Sequence, residues 1–394
     1  MKALKIAVLV LICTLISLLV ALLLVAESAA EVEEQLIYSG EGFEGLRGSE
    51  CSIALGASSV TVVAFPAFRG AEAFPYAAMV DGDHVNVESI GPGGHNVLCL
   101  SLATDDAGCI HAVYTCEEYN HAPGDPPHTG YESNLVYSRQ TEDGWMSEHV
   151  IQDSPELVMG RLVIDDGEKP AVAVWDSGRV YIYRRTKENT WQRVEIRGAP
   201  RNVQFLDAAA EMRGDLAILF TLQLPGEDGY ELKLGFLCDG IWSETTVARA
   251  TGMVYANPRS IVWRAPSEIQ VIYTAGEDVR WEDARVYRAT CRSGSCSTEQ
   301  IADAHGLSGG IAVSSSGELY ASYASFVPPL RFGATEYVDT LAIWDSEGTL
   351  ATVPIGNGLN RMSTGLEVGE SGVILVATQE FVQGGRLLLI RVTQ

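Results

Sequence analysis

The segment VEEQLIYSG, residues 32–40, decides the fold because it matches segments that lie much later in the chain. CSTEQIA (296–302) has the same outline, and WSETTVA (242–248) and WQRVEI (191–196) share it. Each of these later segments supplies the last strand of a four-strand unit, and that strand ends in Ile or Val. The chain therefore begins with the type of strand that ends a repeat.

The unit contains an apolar strand, a Gly/Asp turn, a strongly apolar strand, a variable loop, a third strand with aromatic residues, a polar turn and a fourth strand. Seven first strands begin near residues 51, 97, 160, 203, 259, 309 and 364. Six fourth strands follow residue 50, and they end near Ile90, Ile151, Ile196, Val247, Ile301 and Ile355. The seventh unit stops after its third strand, RLLLIRV (386–392), so VEEQLI supplies its missing strand.

These units predict an all-β fold, a seven-bladed β-propeller with four-stranded blades. The propeller covers residues 31–394, and residues 32–38 complete blade 7. A circular array that is closed by both ends of the chain leaves no sheet edge exposed. Helical periodicity is absent from the sequence after the leader, which excludes a helical repeat.

Residues 1–30 are predicted to be an export segment in the form of a hydrophobic leader helix. Lys2 and Lys5 precede an uncharged apolar stretch over 6–26, and the small residues SAA (28–30) follow it. This arrangement is typical of a signal peptide, but the stretch is also long enough to remain as an N-terminal membrane anchor. Both alternatives place residues 31–394 in the extracellular space or at the cell surface.

The formal net charge of −24 and the pI near 4.6 exclude nucleic acid as a partner, since phosphate binding requires a basic surface. Contact with a membrane is expected only through residues 6–26, and only if the leader is not cleaved.

The cysteines fit an exported protein, in which disulfides are allowed. Cys291 and Cys296 flank a four-residue turn in CRSGSC, and two paired strands would bring them together in a disulfide. A second bridge is expected among Cys99, Cys109 and Cys116, with its pairing left open. Cys51 and Cys238 complete an odd set of seven beyond the leader, so at least one thiol stays without a bridge.

In a propeller the fourth-to-first and second-to-third connections share one face, which we call the loop face. The longest loops of this chain, 116–133 and 325–338, belong to it, and loops on a rigid scaffold usually carry function. Arginines recur in the connections between blades and would clamp a carboxylate or sulfate if they converge; otherwise each pairs with an acid nearby. The predicted ligand-binding residues are Arg201, Arg259, Arg361, Tyr119, Tyr131, Trp281, Glu336 and Tyr337.

Two histidines and an aspartate in the first long loop, His121, His128 and Asp125, are weak metal candidates. No cofactor is expected, and a calcium ion in the acidic loops is the alternative. His111 alternates within an apolar strand and is predicted to be packed and hydrogen-bonded. A set of tryptophans opens fourth strands after polar turns, and this equal placement predicts packing between blades: Trp145, Trp191 and Trp242.

The hairpins LVYSRQTEDGWMSEHVI (135–151) and VYIYRRTKENTWQRVEI (180–196) resemble the third-to-fourth strand hairpins of sialidase-like (BNR-repeat) propellers. The resemblance covers the repeat region and is structural in kind. It implies the propeller fold, and no catalytic residue is carried over from the family.

We therefore expect an exported binding module that recognises a glycan or a surface protein through the loop face. The alternatives are a glycoside hydrolase or polysaccharide lyase with its site at the channel mouth, and a structural component of a surface assembly. Whether the protein is an enzyme stays open, because the sequence contains no nucleophile elbow, metalloprotease helix or phosphate-binding glycine loop.

Overall fold

The chain is described by a computed structural model. It covers residues 30–39, 51–57, 60–119, 131–165, 169–186, 189–196, 198–199, 201, 203–210, 215–224, 229–238, 240–256, 259–277, 283–292, 294–302, 305–326, 336–359, 361–369, 371–380 and 386–393. Within these ranges no helix is long and apolar enough to span a membrane. The leader lies outside them.

The described strands form seven antiparallel sheets, which are the blades of a propeller. Strand β1 (Glu31–Ser39) comes first. Blade 1 contains β2 (Ser52–Leu55), β3 (Thr61–Arg69), β4 (Glu72–Asp81) and β5 (His84–Ser89). Blade 2 contains β6 (Asn96–Thr104), β7 (Ile110–Tyr119), β8 (Tyr131–Thr141) and β9 (Gly144–Ser154). Blade 3 contains β10 (Val158–Asp165), β11 (Lys169–Asp176), β12 (Arg179–Arg185) and β13 (Trp191–Glu195).

The second half of the chain continues the pattern. Blade 4 contains β14 (Val203–Ala210), β15 (Leu216–Gln223), β16 (Tyr230–Cys238) and β17 (Ile241–Ala250). Blade 5 contains β18 (Met253–Tyr255), β19 (Ile261–Ala265), β20 (Glu268–Gly276), β21 (Arg285–Arg292) and β22 (Ser295–Gln300). Blade 6 contains β23 (His305–Val313), β24 (Leu319–Phe326), β25 (Glu336–Trp344) and β26 (Leu350–Leu359), and blade 7 contains β27 (Arg361–Val368), β28 (Ile374–Glu380) and β29 (Arg386–Thr393).

The first strand of the chain closes the ring, as its sequence predicts. Strand β1 pairs antiparallel with β29, from Glu31 opposite Thr393 to Ser39 opposite Arg386. The sheet order β1-β29-β28-β27 makes β1 the outer strand of blade 7. Both ends of the chain therefore contribute to one sheet, and the prediction of seven blades is confirmed.

Each pair of adjacent blades encloses its own hydrophobic cluster. At the closing interface, Ile37 and Leu389 of blade 7 pack with Ile53 and Phe65 of blade 1. Because each blade is covered on both faces, its second strand is buried throughout: six consecutive residues of β15 are buried. The outer strands face solvent, and β22 exposes nearly all of its residues. The alternation between apolar and polar strands follows from this radial order.

A bulge buries the apolar residue near the end of several fourth strands. The strand register shifts by one residue in β1, β9, β17 and β26, at the residues Ile37, Val150, Val247 and Ile355. Each of these side chains is buried. In blade 2 the bulge turns Val150 into the core, next to Ile151, near which the sequence places the end of the fourth strand.

The inner strand of blade 5 differs from the predicted single strand. It is interrupted, so that β18 and β19 pair with different parts of β20. Arg259 lies in the interruption with a φ of 62°, a left-handed conformation that is uncommon for residues other than glycine. The sequence NPR (257–259) explains the break in part, because a proline has no N–H group to donate to a ladder.

The Cys291–Cys296 disulfide is present and joins directly opposed residues of β21 and β22. The expected second bridge is wrong: Cys51, Cys99, Cys109, Cys116 and Cys238 form no disulfide. Two of these sulfurs contact other groups instead. Cys116 donates to the Pro92 carbonyl at 3.3 Å, and the Cys109 sulfur accepts from Arg139 at 3.7 Å.

The predicted packing roles of the tryptophans and of His111 are confirmed. Trp145 Nε1 donates to Glu88 of blade 1 at 2.6 Å, and Trp191 Nε1 donates to Glu148 of blade 2 at 2.9 Å. Trp242 packs in the cluster between blades 3 and 4. His111 is buried between Tyr137 and Asp105, at 2.5 and 3.0 Å, and burial lowers the pKa of its imidazole.

Candidate functional site

An arginine-lined depression lies on the loop face over blade 3 and its connection to blade 4. It has a volume of about 200 Å³, and it is lined by Arg179, Val180, Tyr181, Ile196, Gly198, Ala199 and Arg201. Arg179 begins the third strand of blade 3, and Arg201 lies in the connection to blade 4. This places the predicted residue Arg201 in a concave site together with an arginine that our sequence prediction missed.

A tight turn brings the two arginines together. Residues 176–179 form a two-residue hairpin in which Ser177 and Gly178 have φ angles of 51° and 73°, the twist that such hairpins prefer. The Val203 N–H donates to the Gly178 carbonyl at 3.3 Å, and Trp175 Nε1 donates to the Val203 carbonyl at 2.5 Å. These bonds join the turn that precedes Arg179 to the start of β14, next to Arg201.

Both guanidinium groups of the depression are exposed. Neither Arg179 nor Arg201 has a hydrogen-bond or ion-pair partner within the described part of the chain. Arg193 lies 4.8 Å from the centre of the Tyr181 ring, which adds a third cation next to the depression. The site therefore presents hydrogen-bond donors and positive charge to solvent.

The density of basic residues in the sequence indicates the position of the depression. Residues 179–201 contain seven of the 27 lysines and arginines but only two acidic residues, in a chain with a net charge of −24. The depression is thus part of a locally basic stretch on an acidic protein. The type of connection in which each arginine lies does not reveal this local density of positive charge.

Arg259 occupies a different place, the central channel. A channel cavity of about 420 Å³ is bounded by the inner strands of all seven blades. Arg259 crosses this channel: its Nη1 contacts Glu367 Oε2 of blade 7 at 2.7 Å, and its Nη2 donates to the Leu102 carbonyl of blade 2 at 2.9 Å. Arg201 and Arg259 therefore line separate cavities and do not form the predicted common clamp.

A buried carboxyl group holds the backbone around Arg259. Asp207 of β14 is buried and accepts from the Ile261 N–H at 3.2 Å and from the Arg259 N–H. Burial raises the pKa of Asp207 to about 6, although the charge of Arg161 opposes the shift. The carboxyl group thereby connects blade 4 to the interrupted strand of blade 5.

A second polar group on the loop face lies between blades 5 and 6. Arg285 donates to Nδ1 of the partly exposed His305, and burial together with the Arg285 charge lowers the pKa of His305. Because a guanidinium can only donate, Nδ1 must be the acceptor and the neutral ring carries its proton on Nε2. In this arrangement His305 offers a donor to a ligand and is not ready to remove a proton.

The structure places the other predicted residues as follows. Tyr337 is buried against Phe326, with ring centres 5.9 Å apart, whereas Glu336 at the start of β25 is exposed. Arg361 begins β27, and Tyr119 lies opposite Tyr131 at the tip of the β7–β8 hairpin, but their side chains are outside the description.

The remaining candidates, Trp281, His121, His128 and Asp125, lie outside the described residues altogether. Their roles stay predictions. In the described ranges no group of three or more His, Cys, Asp or Glu side chains is arranged to hold a metal ion.

Comparison with known proteins identifies relatives by fold alone. No family model matches the chain, and no curated protein matches it in sequence. A protein of unknown function from Dyadobacter fermentans superimposes with a TM-score of 0.56 at 13% identity, over 93% of this chain and 99% of that chain.

Two polysaccharide lyases have the same architecture. An ulvan lyase, solved with a saccharide of glucuronic acid and sulfated rhamnose, gives a TM-score of 0.56 at 10% identity over 90% of this chain and 95% of its own. The polysaccharide lyase Uly1 gives 0.52 at 11% identity over 91% and 92%. The chain is similar to these enzymes in its propeller fold, and its resemblance to the sialidase-like propellers holds at that level.

Proposed function

We propose that this protein is a binding module for an acidic glycan, which it holds through Arg179 and Arg201 in the depression on the loop face. The observation that carries the proposal is that these two exposed arginines have no partner in the described chain. Exposed arginines elsewhere on the protein pair with acids, as Arg249 does with Glu231 and Arg292 does with Glu268. Two that do not are available to an external anion.

The chemistry of the pair suits uronate or sulfate groups. A guanidinium matches the planar carboxylate and the sulfate oxygens with two parallel hydrogen bonds. The volume of about 200 Å³ is below the roughly 300 Å³ at which small-molecule sites usually begin. The depression therefore receives one charged substituent while the rest of a polymer extends across the face.

The charge of the remaining surface adds selectivity. With a net charge of −24, most of the molecule repels a polyanion, and a local positive region directs it to one orientation. The propeller fold shared with an ulvan lyase makes a polymer of uronate and sulfated sugars the first probe to test. A protein partner with an acidic surface would bind to the same basic region.

Binding without turnover is the proposed activity. Cleavage as a hydrolase or lyase is the alternative, and the His305–Arg285 pair does not favour it, because the ring nitrogen that could accept a proton is occupied by Arg285. We further propose that the protein acts outside the cytoplasm, which the hydrophobic stretch 6–26 and the Cys291–Cys296 disulfide support.

The first experiment immobilises the purified protein and measures binding of ulvan, carboxyl-reduced ulvan, desulfated ulvan and neutral dextran by interferometry. We expect ulvan to bind and dextran not to bind. The double variant Arg179→Glu/Arg201→Glu should lower the ulvan affinity at least tenfold. Arg292→Glu is the matched control, because its side chain is 65% exposed and lies on the opposite face; it should change affinity less than about twofold, as expected for a charge remote from the ligand.

The same samples separate the alternatives. Equal ulvan binding by wild type and the double variant would refute the proposed site, and absence of binding to every charged polymer would refute the glycan function. Release of unsaturated or reducing-end products would establish catalysis. Loss of binding in EDTA would point to an ion in the acidic loops.

A further inference from the structure

The first strand enters the propeller from the side that lies opposite the loop face. The first-to-second and third-to-fourth turns of the blades form this side, which we call the opposite face. Strand β1 is the fourth strand of blade 7, and its first residue, Glu31, pairs with Thr393 at the end of the third strand. Gln35 Nε2 donates at 3.2 Å to the carbonyl of Gly82, which lies in the third-to-fourth turn of blade 1. Ala30, the residue before β1, therefore lies at the opposite face.

A long apolar stretch precedes this point in the sequence. Ala30 packs against the hydrophobic cluster between blades 6 and 7, and only residues 27–29 separate it from the uncharged stretch 6–26. The apolar part of a cleaved signal peptide usually has about 7–15 residues, whereas about 20 residues are needed to cross a bilayer. The stretch has the length of a membrane span, and Lys2 and Lys5 before it favour an inside position for the N-terminus.

The short link limits the distance between the opposite face and such a membrane. An extended chain advances about 3.5 Å per residue, so the four steps from residue 26 to Ala30 cover at most about 14 Å. The opposite face is also the flatter side of the propeller. Its turns contain at most five residues between the described strands, as in 105–109 and 345–349, whereas the longest loops belong to the loop face. Turns of this length allow the face to approach a flat surface closely.

Exposed apolar side chains are concentrated at the edge of the opposite face. The two most exposed large apolar residues, Ile241 and Met146, are 71% and 68% exposed, and both lie at the start of fourth strands. Val32 and Leu350, each 39% exposed, lie at the same end of β1 and β26. We call these four side chains, which belong to blades 4, 2, 7 and 6, the apolar rim. A partner that contacts all of them must be flat and as wide as the propeller, and a bilayer takes apolar side chains into its interface.

We infer that the opposite face is a membrane-facing surface: the retained leader anchors the chain at this face, the apolar rim contacts the lipid interface, and the loop face points away from the bilayer. A ten-residue strand such as β17 spans about 33 Å, so the loop face lies about 30 Å farther from the lipid than the opposite face does. The inference does not depend on the proposed glycan function. In this orientation, Arg179 and Arg201 face the surroundings of the cell.

The first test asks whether the leader is retained. The full chain is produced in an exporting bacterial host, the membranes are floated on a density gradient, and the intact mass of the protein is measured. We expect the protein to float with the membranes and to retain residues 1–30. A soluble chain that begins near residue 31 would overturn the inference.

The second test measures the distance of each face from the lipid. The full chain is placed in vesicles of phosphatidylcholine, a lipid without net charge, that contain an energy-transfer acceptor. A donor dye is attached at Asp83→Cys, in a turn of the opposite face, or at Glu336→Cys, at the loop-face end of β25; both positions are exposed. The background carries Cys13→Ser and replaces the partly exposed thiols through Cys109→Ser and Cys238→Ser.

The dye at position 336 should lie about 30 Å farther from the lipid surface than the dye at position 83. Equal distances, or the reverse order, would overturn the inference. Ulvan binding plays no part in this measurement, so a failure of the proposed glycan site would leave the result unchanged.

Variants of the apolar rim test its contact with lipid. Apolar groups at a membrane interface insert by about 5–10 Å, so Met146→Asp/Ile241→Asp should move the dye at position 83 away from the lipid by about 5 Å. Val194→Asp is the matched control, because Val194 is 38% exposed and lies near the loop-face end of β13; it should leave the distance unchanged. Circular dichroism verifies the fold of each variant.

An unchanged distance in the folded double variant would show that the rim does not touch lipid. Concentration-dependent dimerisation of the full chain in detergent, abolished by the double variant, would assign the rim to a second copy of the protein. Either result would contradict the membrane-facing role of the rim.

Discussion

Arg201 and Arg259 belong to the same class of position, a segment that connects two blades, yet their surroundings differ. Arg259 spans the channel and is held by Glu367 and the Leu102 carbonyl. Arg201 lies in a shallow depression beside Arg179, without a partner in the described chain. One arginine is part of the internal structure of the ring, and the other is available to solvent.

The difference shows that the type of connection in which a residue lies does not decide its function in this fold. A charge in the channel is compensated by other blades, since seven inner strands converge there. A charge on the outer part of the loop face meets only its own blade and the next one. The external polyanion site is therefore expected where two adjacent blades leave cations uncompensated.

The largest effect should come from weakening the closure of the ring. Ile37 is buried in the cluster between blades 7 and 1, and Ile37→Ala should lower the free energy of unfolding by about 2–5 kcal/mol. Leu36 of the same strand is 46% exposed, so Leu36→Ala should cost less than about 0.5 kcal/mol. Urea denaturation of both variants measures the difference.

The same variant tests whether the depression depends on the closed ring. The channel needs all seven blades, whereas the depression is lined by blade 3 and its connection to blade 4. Near the melting transition, Ile37→Ala should therefore retain ulvan binding after the closing interface has opened. Loss of ulvan binding at the same temperature as the opening would show that the ring unfolds as a single cooperative unit.

The second prediction concerns the buried acid beside Arg259. The pKa of Asp207 is raised by burial to about 6, above its value in the unfolded chain, so the folded protein binds the additional proton. Its contribution to stability is therefore present at low pH and is lost as the pH rises through about 6. The stability difference between wild type and Asp207→Asn should fall by about 3 kcal/mol between a pH below 4 and neutral pH, because each unit of pKa shift corresponds to about 1.4 kcal/mol.

Melting temperatures of wild type and Asp207→Asn across that range supply the measurement. The difference curve removes the effect of the many other carboxylates, which both proteins share. A flat difference would mean that Asp207 stays ionised in the channel beside Arg161.

Much of the fold was predictable because each strand of the repeat has its own pattern of apolar, aromatic and polar residues. The outline shared by VEEQLI and STEQIA predicted that β1 completes blade 7, and the pairing of Glu31 with Thr393 confirms it. Local geometry was not predictable to the same degree. The bulge that buries Val150 and not Ile151 depends on how the strand meets its neighbour.

The candidate sites were predictable only in part. The contact between Arg259 and the Leu102 carbonyl joins residues 157 positions apart, and only the closed ring brings them together. Arg179 was not among the predicted binding residues because the turn that precedes it is short. The basic stretch 179–201 could nevertheless be recognised in the sequence. The long loops that carry Trp281 and His128 lie outside the described residues, and their predicted roles remain untested.

The third prediction concerns the effect of salt on the exposed arginines. Exposed charges interact over a Debye length of about 10 Å at 0.1 M salt and about 3 Å at 1 M, while enclosed pairs such as Arg259–Glu367 are screened less. Ulvan affinity should therefore fall on the order of tenfold over that range, which interferometry at both salt concentrations measures. An affinity that does not change with salt would indicate that exposed charges do not hold the polymer.

The smallest expected effect tests whether ulvan binding depends on the arginines without acidic partners or on the total charge of the basic stretch. Arg185 belongs to the same basic stretch, but it pairs with Glu148 at 3.0 Å and lies 5.4 Å from the centre of the Tyr137 ring. Arg185→Ala should lower stability by about 1 kcal/mol and change ulvan affinity less than about twofold, since its charge is already neutralised locally.

Arg179→Ala is the comparison variant, because it also removes one positive charge from the same strand. Interferometry measures the ulvan affinity of both variants. If Arg185→Ala weakens ulvan binding as much as Arg179→Ala does, the polymer responds to the net charge of the stretch. The depression would then be one part of a diffuse basic surface. A loss confined to Arg179→Ala would locate recognition at the two arginines without partners.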